Sequence, residues 1–130
     1  MLKKVLVVDD SELIHNMYRL ILKKYQECEV VKAMNGKEAL NKLIVEDNID
    51  LILLDINMPV MNGISFLENI RKEGKYTHIP IIIISTEGKE EDTKRGLKLG
   101  AKGYIVKPFK SVMLHNLIED IVKGTAVAVG

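Results

Sequence analysis

The chain reads as one doubly wound α/β domain with helices on both faces of a parallel sheet, and two patterns predict it. Apolar runs of strand length alternate with stretches of helical period through five βα units. Most of those runs are unbroken apolar blocks rather than alternating ones, as strands covered on both faces by helices are. At 130 residues the chain fits a single domain. That size allows roughly two thirds of the unfolded surface to be buried without disulfides.

The first strand is expected at 4–8, where Val5-Leu6-Val7-Val8 runs into Asp9-Asp10. A helix follows, with Leu13, Ile14, Met17, Leu20 and Ile21 repeating on one face. The second strand is expected at 29–33. Asn35, with Glu38 three residues on, then gives a capping-box-like start to a helix carrying Ala39, Leu40, Leu43 and Ile44. The third strand, 51–54, leads into Asp55, and an Asn62-Gly63 turn opens a helix with Ile64, Leu67 and Ile70. Gly63 implies a positive φ or a close approach. The fourth strand, 81–84, ends at Ser85-Thr86.

The segment 88–99 is charged, its apolar stripe is thin, and Gly96 weakens it further. The alternation requires a crossover helix there, the least firmly packed of the set. The fifth strand, 103–106, ends at Lys107-Pro108. The last helix has the clearest stripe, Leu114, Leu117, Ile118, Ile121 and Val122, with Gly124 closing it. The domain is expected over 1–124. Residues 125–130 read as a disordered tail, or as the start of something removed.

Composition excludes several classes. Nineteen basic against 18 acidic residues give a net charge of +1 with no basic arm, and without Trp there is no base-stacking platform. Nucleic acid is therefore not an expected partner. Cys28, the sole cysteine, fits a reducing compartment and reads as a half-buried small apolar residue. The N-terminus lacks a secretory h-region, and no run nears the roughly 18 apolar residues that span a bilayer. A cytoplasmic location, no membrane contact and a monomer are expected. His15, His78 and His115 share no ligand spacing and read as surface or half-buried residues. The methionines Met17, Met34, Met58, Met61 and Met113 read as packing or loop residues.

If these runs are parallel strands of one sheet, their carboxyl ends share one edge. Asp9, Asp10, Asp55, Ser85 and Lys107 then converge on one crevice able to hold a divalent cation and a phosphoryl group. Two adjacent Asp after a buried strand would repel each other and Asp55 without a cation. Taken singly, the residues have plainer readings. Asp55 could cap the next helix, Ser85 or Thr86 could cap the one after, and Tyr104 could be a half-buried strand tyrosine.

Four blocks in order, VVDDS, LLDINMPVMNG, IIIIST and GYIVKPF, resemble the receiver domain of bacterial two-component response regulators, over residues 3 to about 123. The chain is most similar to the single-domain, CheY-like members. The resemblance implies a flavodoxin-like sheet of order 2-1-3-4-5, binding at the switch point between the first and third strands. It implies a phosphoprotein whose Asp55 takes a phosphoryl group from a histidine kinase or phosphotransfer protein. Mg²⁺ would be held directly by Asp10 and Asp55, through water by Asp9, and by the Asn57 carbonyl. Lys107, before a cis Pro108, would reach the phosphoryl group. Ser85 and Tyr104 would form the switch, with Thr86 left as the cap. Asn57 and Glu87 would modulate dephosphorylation, giving a short-lived signal. The protein would be a phosphoacceptor switch rather than an enzyme. The surface of the fourth helix, fifth strand and last helix would bind a target such as a flagellar motor switch component, in chemotaxis or motor control.

Other readings stand beside this one: a phosphorelay intermediate, or the receiver fragment of a multidomain response regulator. From other classes come a flavin-binding electron carrier and an aspartyl-phosphate phosphatase. The flavin carrier would want a Ser/Thr/Gly-rich phosphate loop where Asp9-Asp10 stands. In the phosphatase, the second Asp of an Asp-x-Asp pair is replaced by Asn57.

Overall fold

The computed structural model describes residues 2–123. Five βα units follow in order: β1 Lys4–Val8, α1 Glu12–Leu22, β2 Glu29–Ala33, α2 Gly36–Val45, β3 Leu51–Asp55, α3 Gly63–Glu73, β4 Ile81–Ser85, α4 Glu90–Lys98, β5 Gly103–Val106 and α5 Ser111–Val122. All neighbouring strands pair in parallel, in the order β2-β1-β3-β4-β5. The expected closure by Gly124 and the tail 125–130 lie outside the described residues.

Successive strand side chains point to opposite faces, and the apolar blocks therefore feed two cores. Leu6, Val8, Ile52, Leu54 and Ile83 pack with Ala39, Leu43, Phe66 and Leu67 of α2 and α3. Val5, Val7, Leu51, Leu53, Ile82 and Ile84 pack with Tyr18 and Leu22 of α1 and with Leu114, Leu117 and Ile118 of α5. The register sets Val8 beside Leu54, Asp55 beside Ile84 and Ser85 beside Val106. The carboxyl ends of the four strands β1, β3, β4 and β5 thus share one rim.

The helix starts are chemically specified. Ser11 caps α1 by accepting from the Ile14 N–H, and Asn62 caps α3 from Ser65. Asn35 caps α2 by accepting from Glu38 N–H, while the Glu38 carboxylate accepts from the N–H of Met34, one residue before the cap, instead of from Asn35 N–H as a full capping box requires. Four of the methionines, Met17, Met58, Met61 and Met113, pack against the cores, and Cys28 is half-buried.

Three local expectations need correction. The inner face of α1 is His15, Tyr18 and Leu22, while Leu13 and Leu20 are 77% and 66% exposed. Ile44 and Val122 likewise face outward. His15 is fully buried, not a surface residue; His115 is half-buried against the Ile21 carbonyl and His78 is exposed. Thr86 does not cap α4, which starts after Lys89 without a side-chain cap. Glu90, Glu91 and Asp92 in the first turn and Arg95 and Lys98 in the last complement the helix dipole instead.

Gly96 also has a different role from the one its helix propensity suggests. A Cβ there would run into Ile83 Cδ1. The glycine lets α4 close onto β4. Apart from that contact α4 buries only Thr93, the thin packing its sequence implies.

Candidate functional site

β1, β3 and β5 deliver Asp9, Asp55 and Lys107 to the shared rim, and Asp10 follows Asp9. Carboxylate oxygens of Asp9, Asp10 and Asp55 lie within 4.8 Å of one another. Asp9 and Asp55 are buried and Asp10 is exposed. Lys107 Nζ sits 3.3 Å from Asp9 Oδ2 and 3.8 Å from Asp55 Oδ1. The Lys107–Pro108 peptide is cis. Asp9 Oδ1 accepts from the Ser11 amide at 2.9 Å.

The electrostatics are unbalanced. Burial pushes the Asp55 carboxyl from its ordinary 3.8 up to about 6. Lys107 opposes the rise, Asp9 and Asp10 add to it, and the Ile56 backbone N–H opposes it. Three carboxylates against one ammonium leave two negative charges in excess. An all-oxygen donor set with that excess fits a hard divalent cation such as Mg²⁺. Asp9, Asp10 and Asp55 are the side chains that could hold one.

Gly63 resolves its two possibilities as a close approach. A Cβ there would lie 2.5 Å from the Asp55 carbonyl oxygen, and Gly63 N–H donates to the Ile56 carbonyl at 2.9 Å. The loop between Asp55 and α3 is thereby drawn tight. Asn57 and Val60 in it are exposed, and Val60 has a φ of +66°. For a β-branched residue that is an outlier.

Ser85, Glu87 and Tyr104 line a cavity of about 610 Å³ between α4 and β5, with Thr86, Thr93, Leu97 and Val106. Alternation along the strands turns the Cβ atoms of Ser85, Tyr104 and Val106 toward α4 and those of Asp55 and Lys107 toward the other side. Ser85 is buried and its carbonyl accepts from the Lys107 amide at 2.7 Å, which couples the two regions through the backbone.

Two residues beside the crevice escape a reading by hydropathy. His15 Nε2 lies 2.7 Å from the Asp9 carbonyl. Tyr18 is buried, with its hydroxyl pushed well above the ordinary range by burial and then by Asp9 and Asp55. The spacing His15, Tyr18, Leu22 is a helical face that would have pointed to them.

No helix among the described residues is long and apolar enough to cross a membrane. The sequence profile described as the response regulator receiver domain matches residues 5–119. The chain is 36% identical over 127 residues to a chemotaxis protein CheY homolog of Campylobacter jejuni, covering 98% of this chain and 97% of that one. It is 37% identical over 122 residues to chemotaxis protein CheY1 of Helicobacter pylori, covering 94% and 98%. A solved structure of chemotaxis protein CheY4 of Vibrio cholerae superposes with a TM-score of 0.82 at 36% identity, covering 93% of this chain and 99% of the other.

Proposed function

This chain belongs to the response regulator receiver domain family, and we propose that it is a phosphorylation-switched signalling protein whose acceptor is Asp55. The observation that carries this reading is the meeting of Asp9, Asp10 and Asp55 under Lys107. With its carboxyl near 6, Asp55 is mostly ionised at pH 7 and is a competent nucleophile.

An Asp55 oxygen attacks the phosphorus of a phosphohistidine on a kinase or phosphotransfer protein. The P–N bond breaks, the imidazole keeps that electron pair and takes up a proton, and an acyl phosphate forms on Asp55. Mg²⁺ held by Asp10 and Asp55, by Asp9 through water and by the Asn57 carbonyl would supply charge neutralisation at the phosphoryl oxygens. Lys107 supplies a point charge to the same oxygens. The Ser85 hydroxyl is drawn toward the phosphoryl group, and Tyr104 turns into the cavity they share. A phosphoryl group that contacts one arrangement better shifts its population. The α4–β5–α5 face is then the surface that binds the target.

Asn57 and Glu87 flank the acceptor and the switch hydroxyl by two residues and tune hydrolysis of the acyl phosphate. The protein is thus a cytoplasmic phosphoacceptor rather than a turnover enzyme. The chemotaxis names of its relatives support motor control over a relay role, with a flagellar motor switch component as the target. Membership in the receiver family displaces the flavin carrier.

Intact mass after incubation with Mg²⁺ and acetyl phosphate tests the acceptor. The wild type is expected to gain one phosphoryl group, lost in Asp55→Asn and absent in EDTA. Equal phosphorylation of Asp55→Asn would overturn the assignment.

A further inference from the structure

The rim is underpinned by buried polar side chains that the phosphoryl chemistry does not use. His15 and Tyr18 are both 1% exposed on the inner face of α1. An imidazole so deep is costly unless its nitrogens are occupied. His15 Nδ1 has no partner, while Nε2–H donates to the Asp9 carbonyl at 2.7 Å. That bond is what this side chain does in the core.

The rest of Asp9 is also fixed. Its amide donates to the Ala33 carbonyl at 3.1 Å, and its two carboxylate oxygens accept from the Ser11 amide and from Lys107. Asp10 is exposed, and its carboxylate has no hydrogen bond or ion pair among the described residues. The direction of Asp10 therefore depends on its backbone. The peptide joining Asp9 to Asp10 is planar, so pinning the Asp9 carbonyl oxygen also fixes where the Asp10 Cα begins. The same helix braces the lysine end, because Tyr18 stacks on Phe109 with ring centroids 6.4 Å apart.

We propose that His15 is a positioning residue for the divalent cation: from the buried face of α1 it holds the Asp9–Asp10 peptide in the orientation that lets both carboxylates meet one ion. This rests on the cation-dependent reading above. Outer hydrogen bonds of this kind typically change metal affinity by about 10–100-fold.

The test is titration of the unphosphorylated, ¹⁵N-labelled protein with Mg²⁺ and separately with Ca²⁺, for wild type, His15→Leu and His15→Gln. Leu fills the space without a donor, and Gln places an N–H near the position of Nε2. His15→Leu is expected to raise the Mg²⁺ dissociation constant about tenfold or more, and the Ca²⁺ constant by much less. Mg²⁺ demands near-octahedral geometry whereas Ca²⁺ tolerates irregular ligation. His15→Gln is expected to recover most of the loss. If His15→Leu does not give a folded amide spectrum, His15→Asn replaces it, since the shorter amide does not reach the carbonyl. The proposal is overturned if the variant without the bond binds Mg²⁺ like wild type. It is also overturned if both ions weaken equally, or if Gln recovers nothing. A wild type that binds neither ion overturns the cation reading itself, and the proposal falls with it.

Discussion

Replacing Asp55 by Asn should stabilise the protein when divalent cations are removed. Folding lifts the Asp55 carboxyl from 3.8 to about 6, chiefly by burial and partly through Asp9 and Asp10. The folded chain therefore holds that proton more tightly than the unfolded one. Stability falls as pH rises between about 4 and 6, and the whole loss is in place at pH 7. Two pH units at 1.36 kcal/mol each set a ceiling of about 3 kcal/mol. The crevice opens to water beside Asp10, and screening reduces this to about 1–2 kcal/mol.

Asn removes the charge, keeps an acceptor for the Ile56 N–H, and leaves Lys107 its partner Asp9 at 3.3 Å. In EDTA at pH 7, Asp55→Asn should melt about 3–8 °C above wild type. The gap should close toward pH 4, where wild-type Asp55 is protonated. It should also shrink in saturating Mg²⁺, which binds the wild type more tightly. Differential scanning calorimetry in the three conditions decides it. A variant that melts at or below wild type in EDTA at pH 7, or a gap that ignores pH, refutes the reasoning.

Other substitutions probe the scaffold. Gly63→Ala would press a Cβ against the Asp55 carbonyl oxygen at 2.5 Å, a backbone atom that cannot yield, so urea unfolding should show a loss of about 2–3 kcal/mol. Gly96→Ala meets only the Cδ1 of Ile83, a flexible end, and gains helix propensity. Its net cost should be about 1 kcal/mol by the same measurement. Val60→Asn should add about 1 kcal/mol, because Asn tolerates the left-handed backbone that Val occupies at φ +66°. Tyr18→Ala should cost about 3–5 kcal/mol, whereas Leu13→Gln should stay within about 0.5 kcal/mol of wild type.

The strands and the rim were legible because a parallel sheet buried on both faces leaves nearly continuous apolar text, and because polar residues stand where each run stops. Asp9, Asp55 and Lys107 could be placed from that alone. The inner face of α1 was not, because hydropathy ranks Leu13 and Leu20 above His15 and Tyr18. The buried positions went to an imidazole that donates to the Asp9 carbonyl and a ring that stacks on Phe109. Helical spacing groups His15 with Tyr18 and Leu22, and the tertiary contacts decide that this face, rather than the more apolar one, turns inward. Gly96 misled for a related reason. Propensity sees a weak helix former, while the neighbouring strand needs the space.

Lys107 and Asp9, which share an ion pair in the crevice, stand 98 positions apart in the chain. No fragment released early from a ribosome, and no product clipped before β5, can assemble the full set of charges. The crevice is therefore complete only once the first and the last strand stand in one sheet.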